Sequence, residues 1–567
     1  MNNSPVKKSH KFFSLYYEND GFNIKGKKLM GRQAAGWSFL QSIIKSNRYK
    51  NLGVYLRNMS QKELLIDDIK SILTNDNNSI DIRSFPYAKP NLTSEYGGIQ
   101  LPGPNIIDFA NHRSFFGHHL YSLCGITHTT ASFNVMNSFS SLLTEPVMPW
   151  DAIICTSESV LNTANTIIDT KAEFLGNRFK VSKEFLPQLP VIPLGINNDD
   201  FIFDPEYKTS SRNNLDIKED DIVIIYVGRL SFHAKAHHLP MYLALEKIAN
   251  KLPSNKRIHL IQTGWFATDF IESAYKEEAK KICPSINCIF LDGREQENKN
   301  ITFACGDIFM SLSDNIQETF GLTPLEAMAS GIPVIVSDWD GYRTTVRNEK
   351  DGFRIASYAL GKGHGEELMY KYMMGFLNYD NYIGSTVHKV AIDLNQCIEK
   401  LTLLIENNNL RKKLGENAKK RSQEFSWETI LDKYENLYNE LDDIRVNNSL
   451  KYIDINNRNL PSNRLDPFNL FSDYPSQLLS DDFSFRVSAG INLLSINEIL
   501  ELKSINYTDA VPNQNDLTDI LDLLSTKNIT SINDLKNFTI LSDDKIFNII
   551  IFLLKYGYIH KAEANNE

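Results

Sequence analysis

Residues 308–340 read IFMSLSDNIQETFGLTPLEAMASGIPVIVSDWD, and the fold class is decided by this stretch. Ile308 to Leu312 is an apolar run of the kind buried in a parallel sheet, and 332–337 is another. Between them Thr323-Pro324-Leu325-Glu326 predicts a helix start, with Thr at the N-cap and Pro at the first helical position. Glu318 lies in the loop before that helix and Glu326 in its first turn. A helix start offers unpaired N–H groups and the positive end of a dipole, which suit a diphosphate, and carboxylates beside it accept hydrogen bonds from hydroxyls. Thr323 and Glu326 also have the spacing of a capping box, in which Glu326 serves only the backbone. Glu318, eight positions earlier, and a second anion-binding element upstream weigh against that plainer role.

The upstream element is IIYVGRLSFHAKAH, 224–237. Ile222 to Val227 predicts a strand that runs into Gly228-Arg229-Leu230, and Lys235 follows Arg229 by six residues. Two cations then leave one strand end together. Arginine forks onto two phosphate oxygens and lysine adds a compact charge, so the pair suits a pyrophosphate leaving group without a divalent metal. Either cation alone reads as a solvated basic turn; the compound pattern carries the signal.

Together these motifs resemble the retaining, GT-B-fold glycosyltransferases of family 4, the bacterial glycosyl transferase group 1 type. The resemblance covers roughly the first three quarters of the chain and is densest from Asp221 to Ile355. It implies that Arg229 and Lys235 contact the donor diphosphate, that Glu318 lies near the hydroxyls of the transferred sugar, and that Glu326 holds the ribose. The implied donor set also takes in Gly228, Gly264, Thr323, Pro324 and Leu325. The small-residue segment after the second glutamate, Ala327 to Pro333, belongs to the pattern, as does VIPLGINNDDF at 191–201, similar to the linker between the domains. ITHTTAS at 126–132 places His128 where the family has a histidine near the reacting carbon. The N-terminal glycine turn of the family corresponds to Leu29 to Gly36; it lacks the usual paired glycines, so Gly31 and Gly36 both remain open for approach to the phosphates. Lys235-Ala236 stands where the family often has Lys-Gly.

The resemblance implies an α/β chain of GT-B type: two Rossmann-like domains with a cleft between them, at 1–210 for the acceptor and 211–440 for the donor. A mostly helical appendage follows at 441–567. Apolar runs at 12–17, 52–56, 106–110, 152–156, 222–227, 258–263, 288–291, 307–312 and 332–337, separated by helix-length segments, agree with α/β layering. EFSWETILDKYENLYNEL, 424–441, suits a last helix that crosses back onto the first domain. Beyond about 445 the chain turns rich in Asn, Asp, Leu and Ile, and helices are expected over Asn515 to Leu524 and Ile546 to Leu554.

The 567 residues, with 42% apolar content, describe a globular chain, and the net charge of −9 argues against a nucleic-acid-coating protein. Six cysteines without a C-x-x-C pair read as reduced core thiols. No apolar run reaches the roughly 20 residues needed to span a bilayer, and MNNSPVKKSHKFF lacks a signal-peptide core, which leads to a cytoplasmic expectation. WSFLQSIIKSNRYK, 37–50, carries Lys45, Arg48 and Lys50 and is the one segment suggesting peripheral contact with the inner face of a membrane. Asp338-Trp339-Asp340 has the D-x-D form of a metal site in another glycosyltransferase fold, but follows a strand of the second domain and reads as a loop-shaping element; no metal and no resident cofactor are expected. The function expected is retaining transfer of a sugar from a nucleotide-diphosphate donor, UDP or GDP, to a glycan, lipid-linked or protein hydroxyl in cell-surface glycan synthesis. An epimerase or phosphorylase on the same fold, or a scaffold without activity, are the alternatives.

Overall fold

The computed structural model describes residues 12–24, 26, 30–73, 80–180, 185–251, 256–448, 465–488, 494–527 and 529–562. It divides into two compact units, Met1–Ser462 and Asn463–Glu567. The larger unit contains two six-stranded parallel sheets among its described residues. The first is built from β1 Ser14–Tyr17, β2 Asn51–Leu56, β3 Asp81–Pro86, β4 Gly98–Gln100, β5 Ser122–Ile126 and β6 Ala152–Ile154, in the order β3-β2-β1-β4-β5-β6. The second is built from β7 Ile222–Val227, β8 Ile258–Gly264, β9 Asn287–Asp292, β10 Ile308–Ser311, β11 Val334–Ser337 and β12 Gly352–Ile355, in the order β12-β11-β10-β7-β8-β9. Numbered from its own first strand, the second sheet repeats the order of the first. Each is a Rossmann-like, doubly wound sheet, and each has a crevice where the order reverses, at β1/β4 and at β7/β10. This is the GT-B architecture.

Helices cover both faces of each sheet, so the central strands are buried along their whole length rather than alternating. Every residue of β7, β8, β10 and β11 is buried. The run at 106–110 is not a strand: it opens the helix Ile107–Ser114. Ile106, Ala110 and Arg113 are all fully buried, four and three residues apart, which is helical spacing. Strands β3, β4, β5 and β12 had no counterpart among the expected runs. β3 is an edge strand with exposed and half-buried residues before the buried Phe85, and β4 has three residues.

The first domain is locked by a buried ion pair. Arg113 donates from Nη1 and Nη2 to the two carboxylate oxygens of Asp151 at 2.6 and 2.7 Å, and both side chains are wholly buried. The backbone N–H groups of Leu123 and Met148 also donate to Asp151, at 2.9 and 2.8 Å. A buried carboxylate tolerates its lost hydration only with this many donors.

The chain passes between the domains twice, and the two passages run side by side. Ile196 N–H donates to Phe425 O at 2.9 Å, and Trp427 N–H donates to Ile196 O at 3.2 Å. A Cβ on Gly195 would lie 2.4 Å from the Trp427 ring, so only glycine lets the strands approach this closely. The second passage continues as the helix Trp427–Asn448, which packs on the first domain: Trp427 Nε1 donates to Ser38 Oγ at 2.6 Å and the Tyr438 hydroxyl donates to Gln100 Oε1 at 2.7 Å. The expected boundary at 440 falls inside this helix, because its apolar face continues through buried Leu441; the compact units part only after Ser462. The basic segment at 37–50 also meets this helix. Arg48 donates to Asp432 Oδ1 at 2.5 Å and to the Glu428 carbonyl at 2.9 Å, so Arg48 is a tether within the fold, while Lys45 and Lys50 are exposed. Among the described residues no helix is long and apolar enough to cross a membrane.

The smaller unit has its own apolar core, to which Leu517, Ile520, Ile532, Ile549, Ile550 and Leu553 contribute. Its helices Gln514–Thr526 and Asp543–Lys555 extend slightly beyond the expected ranges, and Ile496–Leu500 and Ile532–Lys536 join them. An antiparallel ribbon, Phe485–Val487 against Ile559–Lys561, is an addition that the sequence did not suggest.

Candidate active site

At the β7/β10 crevice lies a cavity of about 460 Å³, lined from both domains of the larger unit. Its floor is bare backbone. β7 runs into Gly228, β8 ends at Gly264, and Gly293 follows β9; all three line the cavity. Gly228 has φ +149°, and a Cβ on Gly264 would lie 1.9 Å from the Gly228 carbonyl oxygen. Three neighbouring strand ends therefore stack backbone to backbone and leave room for a ligand to approach main chain.

Arg229 and Lys235 follow β7, as the spacing predicted, and both line the cavity. Among the described residues Arg229 forms no ion pair; its nearest acceptors are Ala234 O and Gln317 Oε1, each at 3.5 Å. Burial lowers its pKa and outweighs the opposing pull of Asp380 and Glu318. Lys235 does have one: its Nζ donates to Glu318 Oε2 at 3.0 Å. Burial alone would raise the Glu318 carboxyl, but Lys235 and the backbone N–H groups of Phe320 and Thr319 outweigh it and hold the group below its ordinary value. Glu318 is thus an anion fixed in place by three donors.

The helix after the loop is Leu322–Ala329, two residues earlier at its start than the sequence suggests. Gly321, at φ +79°, is its N-cap, because the Tyr342 ring packs where a Cβ would sit, 2.1 Å away. Thr323 is then the second helical residue and Pro324 the third, so no Thr323/Glu326 capping box forms. Proline at the third position removes an N–H that has no partner within the helix. Leu322 and Thr323 line the cavity; Pro324 and Leu325 are buried and do not. Glu326, freed from capping, lines the cavity, and burial pushes its carboxyl up to about 7 despite Lys299 nearby.

The opposite wall comes from the first domain. His128, just past β5, lines the cavity, and its Nε2 lies 2.9 Å from the Pro102 carbonyl. A carbonyl only accepts, so the proton is on Nε2 and Nδ1 is the basic nitrogen. Burial lowers its pKa to about 4, which keeps the ring neutral. Gly31 opens the helix Gly31–Lys45 and lines the cavity, with nothing within 4 Å of where a Cβ would stand. Gly36 serves packing: its Cβ would lie 2.2 Å from the Gly21 carbonyl oxygen. Leu29 lies outside the described residues.

Two hydrogen bonds tie the walls together. Ser157 Oγ donates to Asp340 Oδ1 at 2.7 Å, and Thr319 Oγ1 donates to the His128 carbonyl at 3.1 Å. Burial and the charge of Glu318 push Asp340 up to about 7. In the Asp338-Trp339-Asp340 tripeptide the two carboxylates have different partners: Asp338 lies 3.5 Å from both Arg343 and Arg354. Arg32, Lys299 and Tyr379 also line the cavity; Arg32 lies within the 29–36 turn without having been singled out, and Lys299 and Tyr379 belong to no motif, so only the fold brings them there.

Residues 208–361 match the family described as Glycosyl transferases group 1. The group 1 match contains Arg229, Lys235, Gly264, Glu318 and Glu326 and leaves out His128 and Gly31. The chain is 23% identical over 214 residues to the sulfoquinovosyl transferase SQD2 of Arabidopsis thaliana, covering 38% of this chain and 32% of that protein. It is 29% identical over 167 residues to a D-inositol 3-phosphate glycosyltransferase of Geodermatophilus obscurus, covering 29% of this chain and 36% of that one. The chain thus spans about a third of the length of these curated relatives. Among solved structures, the Anabaena protein Alr3699/HepE in complex with UDP-glucose aligns at 17% identity and a TM-score of 0.44, over 75% of this chain and 99% of that one.

Proposed function

We propose that the chain is a retaining glycosyltransferase that moves a hexose from a nucleotide-diphosphate donor to an acceptor hydroxyl. The observation that carries this reading is the half-buried Arg229, without an ion pair among the described residues, beside Lys235 at the mouth of a glycine floor. Such a site has positive charge waiting for an anion. As the sugar leaves, negative charge builds on the diphosphate, where Arg229, Lys235 and the start of the Leu322–Ala329 helix are already in position; preorganised donors of this kind contribute several kcal/mol. Glu326 receives the ribose hydroxyls, and Glu318 faces the transferred sugar. Neutral His128 stands on the acceptor side as a hydrogen-bonding group. Retention without a protein nucleophile has the donor phosphate take the acceptor proton on the face from which it departs. Side chains supply the counter-charge, and the reaction draws on no resident metal or other cofactor.

Thermal-shift titration with UDP, GDP, ADP and CMP sugars tests this, using the wild type, Arg229→Ala and Glu326→Ala. One nucleotide class is expected to raise the melting temperature by mass action, with the shift lost in both variants and retained in EDTA. Absence of any shift in folded wild-type protein rejects the donor site.

A further inference from the structure

The second domain sends an excursion across the cleft. Between β12 and the helix Leu394–Glu406, the chain leaves the sheet as an antiparallel ribbon, Ser357–Ala359 with Val390–Ile392. The loop of this ribbon carries two helices, Glu366–Met373 and Tyr379–Val387. It is held from both sides. The Phe133 N–H of the first domain donates to the Tyr372 hydroxyl at 3.1 Å, and the rings of Tyr372 and Tyr382 stack with centroids 4.1 Å apart. Ile383 is fully buried, packed with Ala131 of the first domain and Ala234 of the second.

This anchoring fixes Tyr379, the first residue of the second helix, in the cavity wall. Its hydroxyl is buried and has no hydrogen-bond partner; Thr129 stands beside it without meeting hydrogen-bond geometry. Arg229 is close enough for the two groups to feel each other electrostatically. A buried hydroxyl left unpaired is costly, and one that lines a cavity next to an unpaired guanidinium is arranged for a ligand that accepts from both.

We propose that Tyr379 is a further donor-binding residue, its hydroxyl donating to a non-bridging oxygen of the phosphate that departs with the nucleotide. The assignment rests on the donor-cleft reading above. It adds a contact from a segment past residue 361, where the family match ends, and no comparison assigns it. Burial raises the phenol pKa, so the group is a proton-bearing donor at neutral pH. Because Ile383 and Tyr372 tie the excursion to both domains, the donor is preorganised when the cleft has this shape.

Tyr379→Phe keeps the ring and removes only the hydroxyl. Isothermal titration of the full chain with UDP and UMP, and with GDP and GMP, reads the result. Nucleoside diphosphate affinity is expected to fall about tenfold in the variant, with monophosphate affinity and melting temperature unchanged. An unchanged diphosphate-to-monophosphate ratio overturns the assignment, and so does an effect confined to the acceptor KM. Failure of the wild type to bind any of the four nucleotides sinks the donor cleft itself and the assignment with it, a result distinct from a wild type that binds and a variant that binds equally.

Discussion

Lys235 Nζ lies 3.0 Å from Glu318 Oε2, so the cation that follows β7 and the anion that follows β10 hold each other across the switch point of the second sheet. The two motifs are one electrostatic unit. Removing the cation leaves a carboxylate that is largely buried, and the loss of its opposing charge raises the Glu318 pKa. Lys235→Ala is therefore expected to lower turnover by about 100-fold. Single-turnover transfer at several pH values checks this, and an unchanged rate and pH profile would show that the ion pair is only structural.

Glu326 makes stability depend on pH in a stated direction. Its carboxyl titrates near 7 in the fold against an ordinary value of 4.5. Between those values the folded, ligand-free protein keeps a proton that the unfolded chain has released, so stability falls as pH rises through this window and levels off above it. Asp314 and Asp340, also pushed up to about 7 chiefly by burial, act with the same sign. In Glu326→Gln the melting temperature should fall less steeply between about pH 5 and 8; parallel curves for the two proteins would reject the assignment.

The Arg113–Asp151 pair makes a separate claim about stability. Asp151→Ala strips the counter-charge from a guanidinium with no exposed surface, and about 3–5 kcal/mol of stability should be lost. Denaturant unfolding measures it, and a change below about 1 kcal/mol would mean that water reaches Arg113.

Gly264→Ala tests the glycine floor. The added methyl would stand 1.9 Å from the Gly228 carbonyl oxygen, a backbone atom that has no rotamer to escape into. The loop after β7 must shift, taking Arg229 with it, so nucleotide affinity should drop along with about 2–4 kcal/mol of stability. Normal nucleotide binding by a folded variant would refute this.

Much of this site could be read in the chain because its parts leave strand ends, where a buried apolar run is followed at once by glycine and charge. Arg229 follows that rule directly, Lys235 comes six residues after it, and Glu318 and Glu326 come from the loop and helix after β10; all four line one cavity. The Thr323 cap failed because the choice of cap depended on a tertiary neighbour: Tyr342 packs on Gly321 and moves the helix start back two residues. Likewise Gly31 and Gly36 look alike in sequence, and only the Gly21 carbonyl against Gly36 tells them apart. Lys299 and Tyr379 were invisible, since each reaches the cavity from a helix whose own sequence shows no anion-binding pattern. The run at 106–110 misled because five apolar-rich residues fit a strand and a buried helix turn equally well.

The paired passages at Ile196 and Ser426 act as a double-pinned hinge. Two segments hydrogen-bonded to each other cannot slide independently, so opening of the cleft is confined to swinging about that seam, much as two pins on one edge of a door forbid every motion but rotation.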